Sequence, residues 1–229
     1  MKDKTVGGDD HKRYLLIGPK PGADAAEAPA EGFGLVVVLP GGDGSDEFQH
    51  FVKRILKFGL PDGYVVAQPV AFKWAPGQRI VWPTRKSKVP GQKFATEDFV
   101  AAVIENVGKE HKIDSRRVFT LSWSSSGPAA YAISLQQDSP VRGSYIAMSV
   151  FKPASLPDLK LAKGHAYFIE HSPQDKVCPF SMAEQARDKL KAGGAKVEFS
   201  TYEGGHGWHG DVWGRIRRGI TWLESNAGQ

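Results

Sequence analysis

Residues 117–135 read RVFTLSWSSSGPAAYAISL. An apolar run passes through four serines in five positions and into a segment with helix-like spacing. Serine runs usually mark solvated linkers, yet this one lies between two buried-looking elements, which predicts a strand-to-helix turn. A nucleophile presented on such a turn needs small residues two before and two after it, because those positions pass close together. For Ser125 the earlier position is Trp123, which is too large. For Ser126 the later position is Pro128, and three residues of irregular chain already separate it from the strand. Ser122, flanked by Thr120 and Ser124, interrupts the strand too early. Ser124 has Ser122 and Ser126 as flanks, Gly127 follows, and Pro128 falls in the first helical turn, where it is tolerated. The helix N-terminus behind Ser124 favours negative charge there. The competing reading of the run is a serine-rich helix cap.

Working outward, FGLVVVLP (33–40) and YVVAQPVA (64–71) are continuous apolar runs of strand length, as expected of strands buried on both faces of a parallel sheet. RYLLIGP (13–19), RVFTLS (117–122), RGSYIAMSVF (142–151), AYFIEHS (166–172) and KVEFSTYEG (196–204) read as further strands. Within 41–59 a helix is expected, with Asp43 or Ser45 as its cap and Phe48, Phe51, Val52, Ile55 and Leu56 at helical spacing. The spacing also predicts helices over 95–113, with Thr96 as N-cap, over the GPAAYAISLQQ segment, over 179–194, ending at Gly193-Gly194, and over 211–226. Residues 72–94 show no periodicity, and a loop of that length in a compact domain is usually functional. Strand and helix alternate without a compositional break. That predicts one α/β domain over 1–229, with a mostly parallel sheet, helices on both faces and chemistry at the strands' carboxyl ends. Residues 1–30 are expected as an edge strand and loop, or as partly flexible.

Composition excludes several classes. With 41% hydrophobic and 24% charged residues the 229-residue chain is no disordered segment. No apolar run approaches the roughly 18 residues of a membrane span, and the start lacks a hydrophobic signal core. The expectation is a soluble chain, cytoplasmic or exported with its signal trimmed. One cysteine, Cys178, excludes an internal disulfide framework. It lies in a VCPF turn without small flanks and reads as a structural thiol. The net charge of +5 is scattered, with small clusters at TRKSK (84–88) and RIRR (215–218), so no nucleic-acid partner is expected.

Three further strand ends carry chemistry. After AYFIEHS comes Pro173-Gln174-Asp175. A serine hydroxyl needs a base, and the base an acid that fixes its tautomer. In the order Ser…Asp…His, Asp175 is the acid best placed, whereas Asp138, Asp158, Asp188 and Asp211 sit at the wrong sheet end. After the last strand comes EGGHGWHGD, where His206 follows two glycines and His209, three residues on, is the alternative base. His165 precedes its strand, and His171 reads as a brace for the Asp175 turn. After LVVVLP comes Gly41-Gly42-Asp43-Gly44. Glycines let backbone N–H groups approach a ligand, and acyl transfer needs two donors for the developing oxyanion. Ser125 and Gly42 are the candidates. A phosphate-cradling reading lacks the Gly-Lys-Ser/Thr of a P-loop and the spacing of a dinucleotide fingerprint.

On LVVVLPGGDGS, VFTLSWSSSGPAAYA, HSPQDKVCPF and YEGGHGWH, the chain from about 33 to 225 resembles the α/β-hydrolase superfamily. Within it the chain is similar to the compact serine esterases related to phospholipase/carboxylesterases, dienelactone hydrolases and polyhydroxybutyrate-depolymerase-like esterases. The resemblance implies an α/β-hydrolase fold without a large lid domain. It implies a Ser124–His206–Asp175 triad with Gly42 and Ser125 as oxyanion hole, and an acyl-enzyme route on small-molecule esters, short-chain or aryl. No cofactor or metal is needed by that route. Two departures stand out. Ser122 and Ser126 occupy positions where glycine is common, and Pro40 stands where many relatives have His. Pocket walls are expected from Asp43, Trp74, Trp82, Trp123 and Trp208, with Arg79, Arg85 or Lys86 favouring an anionic substrate. The alternatives are a serine peptidase or acyl thioesterase on the same triad, and a non-catalytic binding module. A monomer or homodimer is expected.

Overall fold

β3 (Phe33–Leu39) shows why the sheet is covered on both sides. Leu35, Val37 and Leu39 point into one apolar cluster and Val36 and Val38 into another, all five fully buried. Alternate residues on a strand face opposite ways, so a strand with no polar position needs a layer on each face. The computed structural model describes residues 1–19 and 29–227. The expectation of flexibility in the first thirty residues falls partly on 20–28, outside the described residues.

Among the described residues eight strands form one sheet: β1 (Lys2–Val6), β2 (Asp9–Ile17), β3, β4 (Tyr64–Pro69), β5 (Ile113–Trp123), β6 (Gly143–Ala147), β7 (Ala166–His171) and β8 (Lys196–Thr201). Their order is β1-β2-β4-β3-β5-β6-β7-β8, parallel from β4 to β8, with the β1–β2 hairpin antiparallel at one edge. Helices α2 (Thr96–Gly108), α3 (Gly127–Ser134) and α4 (Phe180–Ala192) pack on the Leu35/Val37 face. α1 (Gln49–Arg54), continued by a wider π-type turn over Ile55–Gly59, and α5 (Val212–Asn226) pack on the other. No separate lid domain lies among the described residues.

Several boundaries differ from the sequence reading. The β1–β2 hairpin is longer than the strand expected at 13–19, because KDKTV is exposed or half-exposed at an edge and carries no apolar run. β5 reaches back to Ile113, so α2 stops at Gly108 rather than 113. Ala95, extended at φ −86°, occupies the cap position of α2, and Thr96 instead donates its hydroxyl to the carbonyl of Pro83 at 2.7 Å. β6 ends at Ala147, where Met148 turns the chain at φ +40°. Residues 72–94 hold no helix or strand, and Trp82 ties the segment to the sheet by donating Nε1–H to the carbonyl of Pro40 at 2.9 Å.

Candidate functional site

Trp123 ends β5 in an extended conformation, and Ser124 follows with φ +56°. A side chain in the left-handed region is strained, and such strain persists only where the surroundings enforce it. The enforcement is visible. Ser126 Oγ lies 2.6 Å from the carbonyl of Leu39 and 2.9 Å from that of Trp123, and accepts the Trp123 N–H at 3.1 Å. Ser149 donates to the Ser124 carbonyl at 2.6 Å. Gly127 packs so close to Ser149 that any Cβ there would collide with its side chain. Ser122 and Ser126, the positions flanking the elbow, are fully buried. Size alone does not account for Ser126: its hydroxyl joins the ends of β3 and β5.

The Ser124 hydroxyl lies 3.1 Å from His206 Nε2, and His206 Nδ1 lies 2.8 Å from Asp175 Oδ2. The three candidates from three separate strand ends thus meet in one hydrogen-bonded row. His209 does not join it; its carbonyl instead accepts from Arg215 Nη1 at 2.6 Å. Asp175 Oδ1 accepts the amides of Val177 and Cys178, each at 2.8 Å. Burial pushes the Asp175 carboxyl up, but the Cys178 amide, the His206 ring and the Val177 amide outweigh it and hold the group below its ordinary range. His171 Nε2 lies 2.9 Å from the Cys178 carbonyl and 3.2 Å from Asp175 Oδ2. Burial lowers the His171 pKa, so the ring is neutral at pH 7 and donates from Nε2 to these two acceptors.

The two loops that carry Asp175 and His206 are stitched together. Gly205 N–H donates to Ser172 Oγ at 3.1 Å, and Gly204 N–H to Gln174 Oε1 at 2.9 Å. Gly204, at φ +115°, leaves no room for a Cβ against the His209 ring. Behind this lies a buried ion pair: Arg215 Nε to Glu170 Oε1 at 2.9 Å, with Tyr145 donating to Glu170 Oε2 at 2.7 Å. Arg215 also stacks over the Tyr202 ring at 4.6 Å. One guanidinium therefore touches both ends of the His206 loop and the strand that leads to Asp175. These supports were missed from sequence, although a glutamate inside the apolar run AYFIEHS signals a buried partner.

Ser125 Oγ donates to the carbonyl of Gly42 at 2.9 Å, which brings together the loops carrying the two candidate oxyanion donors. Asp43, expected in the pocket, is exposed and accepts the Ser45 amide at 3.1 Å within its own turn. Trp123 and Trp208 pack against each other and Phe51 on the α1/α5 side, Trp123 almost fully buried. Trp74 stacks on His11 and meets Phe72 and Phe94. Of the five predicted pocket residues only Trp82 lines a cleft of about 320 Å³, which it shares with Ser125, the candidate oxyanion donor. Asp175, Cys178 and His206 are the His/Cys/carboxylate group among the described residues that lies close enough to share a metal ion. The thiol there is pushed up to about 11, by burial and by Asp175, and the carboxylate already takes several hydrogen bonds, so the set is a poor one for a cation.

No protein-family model matches the chain, and no curated protein does. Solved structures do. A Thermogutta terrifontis esterase with propionate bound aligns at TM-score 0.68 and 15% identity, over 98% of this chain and 92% of that one. A Bacillus cereus carboxylesterase aligns at 0.66 and 13%, over 93% of each chain. A protein of unknown function from Agrobacterium tumefaciens aligns at 0.60 and 17%, over 86% of this chain and 94% of that one. The chain has the α/β-hydrolase fold. In an α/β-hydrolase sheet the chemistry sits beyond the carboxyl ends of the strands, which is where Ser124, Asp175 and His206 stand.

Proposed function

We propose that the protein is a carboxylic-ester hydrolase in which Ser124 attacks, His206 acts as base and then acid, and Asp175 orients and stabilises the imidazolium. The observation that carries the reading is the unbroken row from Ser124 Oγ through His206 to Asp175, 3.1 and 2.8 Å, on a serine held at φ +56°. His206 Nε2 takes the hydroxyl proton as Ser124 Oγ bonds to the carbonyl carbon. The tetrahedral oxyanion faces the amides of Gly42 and Ser125. Collapse expels the alcohol, which takes its proton from His206. Water then repeats the sequence on the acyl-enzyme and releases the acid. Asp175, kept ionised by its two backbone amides, offsets the imidazolium charge at each step. The buried Cys178 thiol, raised to about 11, takes no part in the attack.

Turnover of p-nitrophenyl acetate or butyrate is expected. Ser124→Ala should lower kcat by roughly 10⁴–10⁶-fold. A fluorophosphonate probe should label Ser124, as read by mass spectrometry of the modified peptide. Full activity in Ser124→Ala, or labelling at another serine, ends this assignment.

A further inference from the structure

The cleft beside Ser125 has a charge that the proposed chemistry does not use. Its walls are partly aliphatic, from Ile80, Val81 and Leu156, with the Trp82 ring beside them. Two cations, Arg79 and Lys152, line it and no carboxylate does. Arg79 is the one arginine whose guanidinium makes no hydrogen bond, ion pair or ring contact with any described residue. The others meet a carboxylate, a carbonyl, a hydroxyl or an aromatic ring. Arg85, a second candidate from sequence, is committed to Asp98 and Gln136. The Lys152 ammonium also lacks a partner among the described residues.

Arg79 is not on a slack chain. Gln78 accepts the Trp74 amide at 2.8 Å and donates to the Ile80 carbonyl at 2.7 Å, so one side chain straps the turn on both sides of Arg79. A planar guanidinium on a strapped turn, exposed in one cleft with an ammonium and aliphatic side chains, suits a carboxylate at the end of a short carbon chain. We propose that this cleft selects esters bearing a second, anionic group, such as half-esters of short dicarboxylic acids. The proposal deepens the hydrolase reading and rests on Ser124, whose chain neighbour Ser125 lines the cleft, as the nucleophile. The anion sits between Arg79 and Lys152, and its carbon chain lies along Ile80, Val81 and Leu156. The reactive carbonyl is thereby delivered to Ser124.

Two esters that differ by one carboxylate test this: monoethyl glutarate and ethyl butyrate, with acid release followed by titration. Wild type is expected to favour the half-ester by about tenfold in kcat/KM, chiefly through KM. Arg79→Gln and Lys152→Gln should each reduce that ratio several-fold, as should about 0.5 M salt, since exposed ion pairs are screened. A second pair, 3-carboxyphenyl butyrate against phenyl butyrate, places the charge on the alcohol side. Preference in either pair that depends on Arg79 supports the proposal. Binding separates it from the Ser124 reading, because calorimetry with glutarate and with neutral glutaramide needs no turnover. Glutarate binding that Arg79→Gln weakens, in a protein that cleaves no ester, keeps the anion cleft and removes the hydrolase. Hydrolysis of ethyl butyrate with no preference in either pair, and glutarate bound no better than glutaramide, overturns the cleft alone.

Discussion

Ser124 is held in place by hydroxyls and carbonyls, His206 by a carboxylate and a guanidinium. On the Ser124 side, Ser126 and Ser149 each fasten a backbone carbonyl across a gap between strands, and a glycine permits the close approach. These are neutral bonds, worth about 1 kcal/mol apiece. On the His206 side, the Glu170–Arg215 pair is buried in the α5 face and reaches the loop through the His209 carbonyl and the Tyr202 ring. Removing one partner of such a pair leaves an uncompensated charge, at a cost of roughly 3–5 kcal/mol. The lesson is one of redundancy. The elbow is enforced by several small contacts, whereas the His206 loop, besides its backbone stitches to Ser172 and Gln174, leans at both ends on one guanidinium.

Arg215→Met should show the largest effect. A loss of several degrees in Tm is expected, together with a fall of about 10–100-fold in kcat, since a displaced base costs about that much. Adding Glu170→Gln should recover much of the Tm by removing the stranded charge. It should not restore kcat, because the His209 carbonyl still lacks its donor. If the double variant regains both, the loop does not depend on Arg215 and the contrast between the two sides collapses.

Ser126→Gly should show a smaller loss, about 1–2 kcal/mol by denaturant unfolding and a few-fold in kcat, because the Leu39 carbonyl and the Trp123 amide lose their shared hydroxyl. Wild-type stability in this variant means that smallness is all the elbow requires. The least effect is expected from pH. Burial holds His171 below its usual pKa, so the unfolded chain binds its proton first as pH falls. Its contribution is present above about pH 6.5 and is lost as pH drops towards the lowered folded value. Thermal melts at pH 7 and 5 should show this decline, and His171→Asn should flatten it. An equal slope in both proteins would place the titration elsewhere.

How much of this was legible in the chain depends on where each signal sits. β3 and β4 stand out because strands buried on both faces leave no polar position. Ser124 was reachable by elimination, since an elbow tolerates only small flanks, and chain order led from it to Asp175 and His206. The β1–β2 hairpin was only partly legible, because KDKTV at an exposed edge alternates weakly. The tryptophans were the least legible. An indole suits a core and a pocket wall equally, and only tertiary placement separates Trp82, on the cleft, from Trp123 and Trp208, packed with Phe51. The second duty of Ser126 was hidden for a related reason: a hydroxyl's partners lie far away in sequence, here at Leu39.

The stacking of His11 on Trp74 ties the start of the chain to the turn that presents Arg79. β2, second from the sheet's edge, is thus in contact with the loop that carries Arg79, on the opposite flank of the sheet from Asp175 and His206. On the proposed reading, choice of substrate and the reaction itself are anchored in separate parts of the molecule. Changes along β2 can therefore retune which ester is accepted while leaving the Ser124–His206–Asp175 row untouched.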